Sequence, residues 1–182
     1  MPFIHTGIDG LIVYEPQVFK DNRGYFFEAY NQSVFEAEGL QYHFVQDNQS
    51  FSHYGTIRGL HYQQNPSAQC KLVRVLQGHI LDVAVDIRKN SPTYKQVFSI
   101  ELTDENKKQL LIPAGFAHGF SVLSPTAVVM YKCDAFYHKE SEAGIIYNDP
   151  ELAIDWQLPA GAELVSDKDL LLPVLANCNN NF

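Results

Sequence analysis

Hydrophobic and polar positions alternate over short stretches separated by turn residues, a pattern that predicts strands far more than helices. The stretch Arg58-Gly59-Leu60-His61-Tyr62-Gln63 shows it best. Alternation there places Leu60 and Tyr62 toward a core and His61 and Gln63 on the opposite face. In a barrel or sandwich, that opposite face is either solvent or an interior cavity. An Arg and a His this close suit a cavity that takes up an anion and moves a proton beside it. Read alone, the stretch favours His61 as an ordinary strand histidine with a satisfied hydrogen bond.

The same reading along the chain gives a first strand over 10–16, closed by Pro16. A turn at Asp21-Asn22-Arg23-Gly24 leads to an aromatic strand over 25–30. Asn31 is placed to cap a short helix running to Glu38, with Gly39 as its stop. A strand over 42–46 follows, and 65–69 reads as a loop. Strands over 71–76 and 80–87 flank Gln77-Gly78-His79 and read as a hairpin. Both faces of 71–76 mix polar and apolar residues, as at the lip of a pocket. Further strands are expected over 96–102, 110–112, 118–123 and 127–133, with a loop at 140–142. Ser166, with Asp169 at the capping-box distance, marks a helix start. The tail over 177–182 reads as frayed. Many short strands and frequent turns predict an all-β fold, an antiparallel sandwich or barrel with a few short helices, in a single domain spanning 1–182.

Composition narrows the function. The 182 residues suffice for one well-filled core, and 10 Tyr with 12 Phe favour β-structure. A formal net charge of −8 argues against general binding to nucleic acid or a membrane surface. With only 13 Lys and Arg in the chain, any cluster of them around a pocket is informative. Cys70, Cys133 and Cys178 are odd in number and form no CxxC pair, which fits a reducing compartment and no structural zinc. The first residues have no signal-peptide pattern, and no apolar run nears the roughly 20 residues of a membrane span. The expectation is a soluble cytoplasmic protein.

The stretch Pro113-Ala114-Gly115-Phe116-Ala117-His118 has the form PxGxxH. It resembles the later of the two short motifs of the cupin jelly roll, whose His is a ligand in metal-binding members. The earlier motif should then contribute HxH followed by a Glu. Here the equivalent stretch is His61-Tyr62-Gln63, so His61 and His118 stand alone, too few for a divalent site. The jelly-roll expectation stands and no metal is expected. Further motifs occur in matching order: Arg23-Gly24 with the aromatic run to Glu28, Phe44 through Asn48, Arg58 through His61, Ala68-Gln69 before Lys71 through Arg74, Asp82 through Arg88, Pro113 through Phe120, Tyr131-Lys132, and Ser166 through Asp169. Together they resemble the dTDP-4-dehydrorhamnose 3,5-epimerase family of cupins, from about residue 10 to residue 172. Tyr25, where many members carry Phe, is a small departure.

The resemblance implies a cofactor-independent isomerase that inverts carbons 3 and 5 of dTDP-4-dehydro-6-deoxy-D-glucose. Both carbons adjoin a ketone, so each C–H is acidified by enolate formation, and the protein must supply a base, an acid and a positive group. His61 matches the proton acceptor, Asp169 the carboxylate that orients it, Tyr131 the proton donor on the opposite face, and Lys71 the cation at the oxyanion. Taken singly, Asp169 would read as a helix-start charge, Tyr131 as a core tyrosine and Lys71 as a solvated strand-end lysine. Arg23, Gln46, Asp47, Asn48, Arg58 and Lys168 match contacts to nucleotide, diphosphate or sugar. Glu28 and Glu142 match the nucleotide end, Phe26 or Phe27 could stack on thymine, His118 matches a sugar contact, and Tyr137 lies near the sugar. A homodimer is also implied, since in the family a partner subunit completes the nucleotide site. The rival readings are an epimerase of a single carbon, a metal-dependent cupin enzyme and a silent sugar-nucleotide binder. His5, His43, His53, His79 and His138 read as surface or satisfied histidines.

Overall fold

The computed structural model describes residues 2–182. Its elements in chain order are β1 (Phe3–His5), β2 (Ile12–Tyr14), β3 (Phe19–Asp21), β4 (Gly24–Phe26), α1 (Gln32–Ala37), β5 (Gln46–His53), β6 (Thr56–Gln63), β7 (Lys71–Gln77), β8 (His79–Asp86), β9 (Val97–Thr103), β10 (Gln109–Ile112), β11 (Phe116–Val122), β12 (Thr126–Cys133), β13 (Glu142–Gly144), β14 (Leu164–Val165) and α2 (Asp167–Leu170). One sheet has the order β1-β2-β10-β7-β12-β5. The other has the order β13-β6-β11-β8-β9, with β14 beside β6, and β3 and β4 form a separate ribbon. From β5 to β8 successive strands fall in alternate sheets, as in the antiparallel jelly roll of the cupins.

Three apolar layers hold the sheets. Val73, Val75, Ile80, Ala84, Leu110, Phe120 and Val129 pack between them. Leu81, Val83 and Val85 pack on the back of the second sheet beneath Leu152 and Trp156. Strand β8 is therefore covered on both faces, which is why its sequence runs apolar almost without alternation. Phe35 of α1, only 1% exposed, closes a third cluster with Phe3, Tyr14 and Leu72. The cap of α1 is as expected: the Asn31 side chain accepts the Ser33 N–H at 3.1 Å.

Several expectations are corrected. The stretches 71–76 and 80–87 are strands but not a hairpin: β7 pairs with β10 and β12, and β8 with β9 and β11. A short turn joins strands of opposite sheets as readily as neighbours of one. Gly78, at φ +87°, passes so close to Thr126 that a Cβ there would lie 2.2 Å from its carbonyl oxygen. Residues 42–45 are not a strand, because Phe44 is drawn onto Tyr30 in edge contact at 5.1 Å, and the strand begins at Gln46. The aromatic strand ends at Phe26, and the three-residue β1 and β3 lie below the length that periodicity detects. The stretch 140–142 holds the end of a 3₁₀ turn and the start of β13. The tail is not frayed: Asn180 is buried, and the Asn179 carbonyl accepts the Tyr62 hydroxyl at 2.7 Å.

One irregularity positions the site. Strands β6 and β11 pair His61 with His118 and Arg58 with Phe120, so Gly59 and Leu60 together face the single Gly119. This bulge lets Ile57 and Leu60 share the outer core while Arg58 and His61, three residues apart, both line the inner crevice. Strict alternation would have put Arg58 on the face of Leu60. Only glycine fits the step: Gly59 has φ +128°, and a Cβ on it would lie 2.6 Å from the Gly119 Cα.

Candidate active site

The crevice between the sheets has two lobes of about 380 Å³ and about 330 Å³ that share His61, Lys71 and Tyr131. His61 comes from β6 of one sheet, whereas Lys71 on β7 and Tyr131 on β12 come from the other. The imidazole thus faces the phenol and the ammonium across the crevice.

His61 Nε2 lies 2.7 Å from Asp169 Oδ1, and Asp169 Oδ2 accepts the Gly59 N–H at 3.3 Å. Asp169 is held by the cap of α2, where the Ser166 hydroxyl accepts its N–H at 3.1 Å. Burial works to raise the Asp169 carboxyl, but the hydrogen bond and charge of His61, the Gly59 N–H and the charge of Lys168 outweigh it and hold it below its ordinary value. A carboxylate at Nε2 keeps the proton on that nitrogen and leaves the Nδ1 lone pair as a base. Burial pushes the Tyr131 phenol up, keeping it a protonated donor. Burial pulls the Lys71 ammonium down, against the opposing charges of Cys133, Asp82 and Glu142. Lys71 Nζ stands 5.9 Å from the centre of the Tyr131 ring.

His118 sits beside His61 on the same wall, and its Nε2 lies 2.8 Å from Asp82 Oδ1. Asp82 is fully buried, and its Oδ2 has no hydrogen-bond partner. Sequence reasoning did not single out Asp82 as a site residue. The available sign was a carboxylate inside the apolar run Ile80-Leu81-Asp82-Val83-Ala84-Val85, an expensive placement. Arg58 is held by Ser52 Oγ at 3.0 Å and the Phe51 carbonyl at 3.2 Å. With Lys71 and Lys168 it brings three cations to the first lobe of an acidic protein. Lys168 bonds Glu142 at 2.6 Å, and Tyr137 donates its hydroxyl to the same carboxylate at 2.8 Å. Gln46 and Asn48 line the second lobe, joined at 3.0 Å.

Four expected contacts are not in this crevice. Asp47 alternates to the outer face of β5 and pairs with Lys132 at 2.9 Å. Arg23 and Phe26 lie on the β3–β4 ribbon, where Arg23 bonds Asp21 at 2.5 Å. Glu28, just beyond the ribbon, accepts from Asn31 at 3.1 Å. Residue spacing cannot separate contacts made within one chain from those made to another. Among the described residues, no group of three or more His, Cys, Asp or Glu is arranged to hold a metal ion.

Known proteins resemble this chain in sequence and fold. A Pseudomonas aeruginosa protein named dTDP-4-dehydrorhamnose 3,5-epimerase is 54% identical over 170 residues, 93% of either chain. The crystal structure of the enzyme of that name from Elizabethkingia anophelis superposes with a TM-score of 0.92 at 49% identity, covering 96% of both chains. A dTDP-6-deoxy-D-glucose-3,5-epimerase from Legionella pneumophila, in complex with dTDP-4-keto-L-rhamnose, gives 0.92 at 48% identity, over 96% of this chain and 93% of that one. The profile of the family matches residues 5–177. With its jelly roll, its paired crevice and this likeness along nearly the whole length, the chain belongs to the dTDP-4-dehydrorhamnose 3,5-epimerase family.

Proposed function

We propose that the crevice inverts carbons 3 and 5 of dTDP-4-dehydro-6-deoxy-D-glucose, giving dTDP-4-dehydro-β-L-rhamnose for dTDP-L-rhamnose synthesis. The observation that carries this reading is the His61–Asp169 pair at 2.7 Å facing Tyr131 and Lys71 across the crevice. His61 Nδ1 removes the proton from a carbon beside the ketone, and the electron pair moves onto the carbonyl oxygen. Lys71 stabilises that oxyanion, an effect typically worth about 3 kcal/mol for one such donor. Tyr131 then protonates the carbon from the other face, and solvent restores both groups. No step calls for a redox change. Asp169 stabilises the imidazolium formed by the first transfer.

Arg58 and Lys168 suit the diphosphate, Arg through its planar fork. Gln46, Asn48, His118, Tyr137 and Glu142 line the rest of the crevice as sugar and nucleotide contacts. Arg23, Phe26 and Glu28 serve the crevice of a partner copy in a homodimer. Arg23 and Phe26 stand on an exposed ribbon and Glu28 just beyond it, all outside their own crevice, which supports this, with Phe26 67% exposed. We place the reaction in the cytoplasm, which three free cysteines support.

Proton NMR of the substrate with the protein in D₂O tests the reading. Deuterium at carbons 3 and 5 with a rhamnose-configured product is expected. Exchange at one carbon only would make it a single-carbon epimerase, and no exchange would remove the proposed chemistry.

A further inference from the structure

Gln63 ends the strand that carries His61, is 5% exposed, and lies two residues beyond the proposed base on the same inner wall. Its carboxamide bonds a nearby loop and one far off in sequence. Nε2 donates to the Phe136 carbonyl at 3.2 Å and to the Ser67 carbonyl at 2.7 Å, while Oε1 accepts the His138 N–H at 2.6 Å. The bonds to Phe136 and His138 bracket Tyr137, taking the peptide group on either side of it, while the Ser67 bond anchors the amide to the nearby 65–69 loop. The Tyr137 N–H itself goes to Gln46 Oε1 at 3.2 Å, and its hydroxyl to Glu142 at 2.8 Å. An exposed tyrosine on a loop is ordinarily mobile, yet this one is fixed at its backbone and at its tip. Its ring lines the lobe that also contains His61, Lys71 and Tyr131.

We propose that Gln63 is a positioning residue of the epimerisation, a brace that ties the strand of the base to the Tyr137 loop and sets where Tyr137 meets the sugar nucleotide. The inference rests on the function proposed above. Gln63 does not itself take part in proton transfer. A buried amide that anchors to the Ser67 carbonyl and gives a donor and its acceptor to the peptides flanking Tyr137 keeps two walls of the crevice in a fixed relation, and displacement of a contact group by about 1 Å can cost roughly a hundredfold in rate.

The test is a double-mutant cycle between Gln63→Leu and Tyr137→Ala, read as kcat/KM for inversion, with folding checked by thermal unfolding. Gln63→Leu should lower kcat/KM by about tenfold or more in the wild-type background, and by less than about twofold in the Tyr137→Ala background. If Gln63→Leu does not fold, Gln63→Glu carries the same comparison, since it keeps the side-chain length and the acceptor for the His138 N–H. Equal losses in both backgrounds, or a folded Gln63 variant with unchanged kcat/KM, would overturn the proposal. Wild-type protein that fails to invert the sugar would overturn the functional reading instead.

Discussion

Replacing Asp169 by Asn should harm the reaction more than removing its side chain altogether. Asp169 Oδ2 accepts the Gly59 N–H at 3.3 Å while Oδ1 meets His61 Nε2 at 2.7 Å. An Asn has only one acceptor oxygen. Turned toward His61, it would leave its NH₂ facing the Gly59 N–H, a buried donor without a partner that costs about 2 kcal/mol. The favoured orientation therefore points the NH₂ at Nε2, which must then accept, and the imidazole proton moves to Nδ1. The base is lost in all but roughly one molecule in thirty. Loss of the carboxylate charge beside the forming imidazolium removes about 2 kcal/mol more. The sum of about 4 kcal/mol corresponds to roughly a thousandfold slower proton abstraction. Asp169→Ala loses the charge but imposes no tautomer, so its penalty is about 2 kcal/mol, roughly thirtyfold. The assay is deuterium uptake at carbons 3 and 5 in single-turnover NMR, with dTDP affinity measured by calorimetry as a control. Equal rates in the two variants, or faster exchange in Asp169→Asn, would refute the argument that Gly59 dictates the orientation at Asp169.

Other outcomes follow from the same geometry. Tyr131→Phe should still exchange a substrate proton with D₂O but form inverted product at least about a hundredfold more slowly, as loss of a general acid predicts; normal product formation would move the acid elsewhere, with Tyr137 the next candidate. Gly59→Ala should lower stability by about 3 kcal/mol or more, since it combines a forbidden φ with a 2.6 Å approach to Gly119, and thermal unfolding would show a fall of roughly 6–12 °C. Mixing inactive Arg23→Ala and His61→Asn proteins should restore up to about a quarter of wild-type activity if each crevice uses the partner's ribbon, and none if it does not. Burial works to raise the Asp86 carboxyl, but bonds from Arg88, Ser91 and Thr93 outweigh it and bring it down to about 2. A carboxyl depressed on folding stabilises the fold above its unfolded value near 4 and loses that contribution as pH falls toward 2. Asp86→Asn should therefore cost about 2 kcal/mol in urea unfolding at pH 7, a difference that shrinks over that window.

Much of the architecture was legible because it depends on local rules. The Asn31 cap, the Ser166 cap and the β-strands from Thr56 to Cys133 follow from periodicity and side-chain chemistry that neighbouring residues decide. What failed depended on distant partners. The turn at Gly78 looks the same whether it joins strands of one sheet or of two, and the tail residues look solvated until Tyr62 and Ile87 offer them hydrogen bonds. Asp47 follows Gln46 in sequence, yet strand alternation sends its carboxylate to the opposite face, and spacing alone does not reveal which face holds the crevice.

The site itself turns on a rule broken at one residue. Period-two alternation puts Arg58 and His61 on opposite faces, which would leave the cation and the base unable to serve one ligand. The bulge at Gly59 reverses the face between them and turns the Gly59 N–H onto Asp169, the carboxylate bonded to His61. Arg58, His61 and Asp169 are thus placed by one backbone step that needs a residue without a Cβ. A pattern-based reading treats Gly59 as an interruption of a strand. In the folded chain that interruption lets the Arg58 guanidinium and the His61 imidazole face the same space, and under the proposed mechanism a substitution there should disable binding and chemistry together.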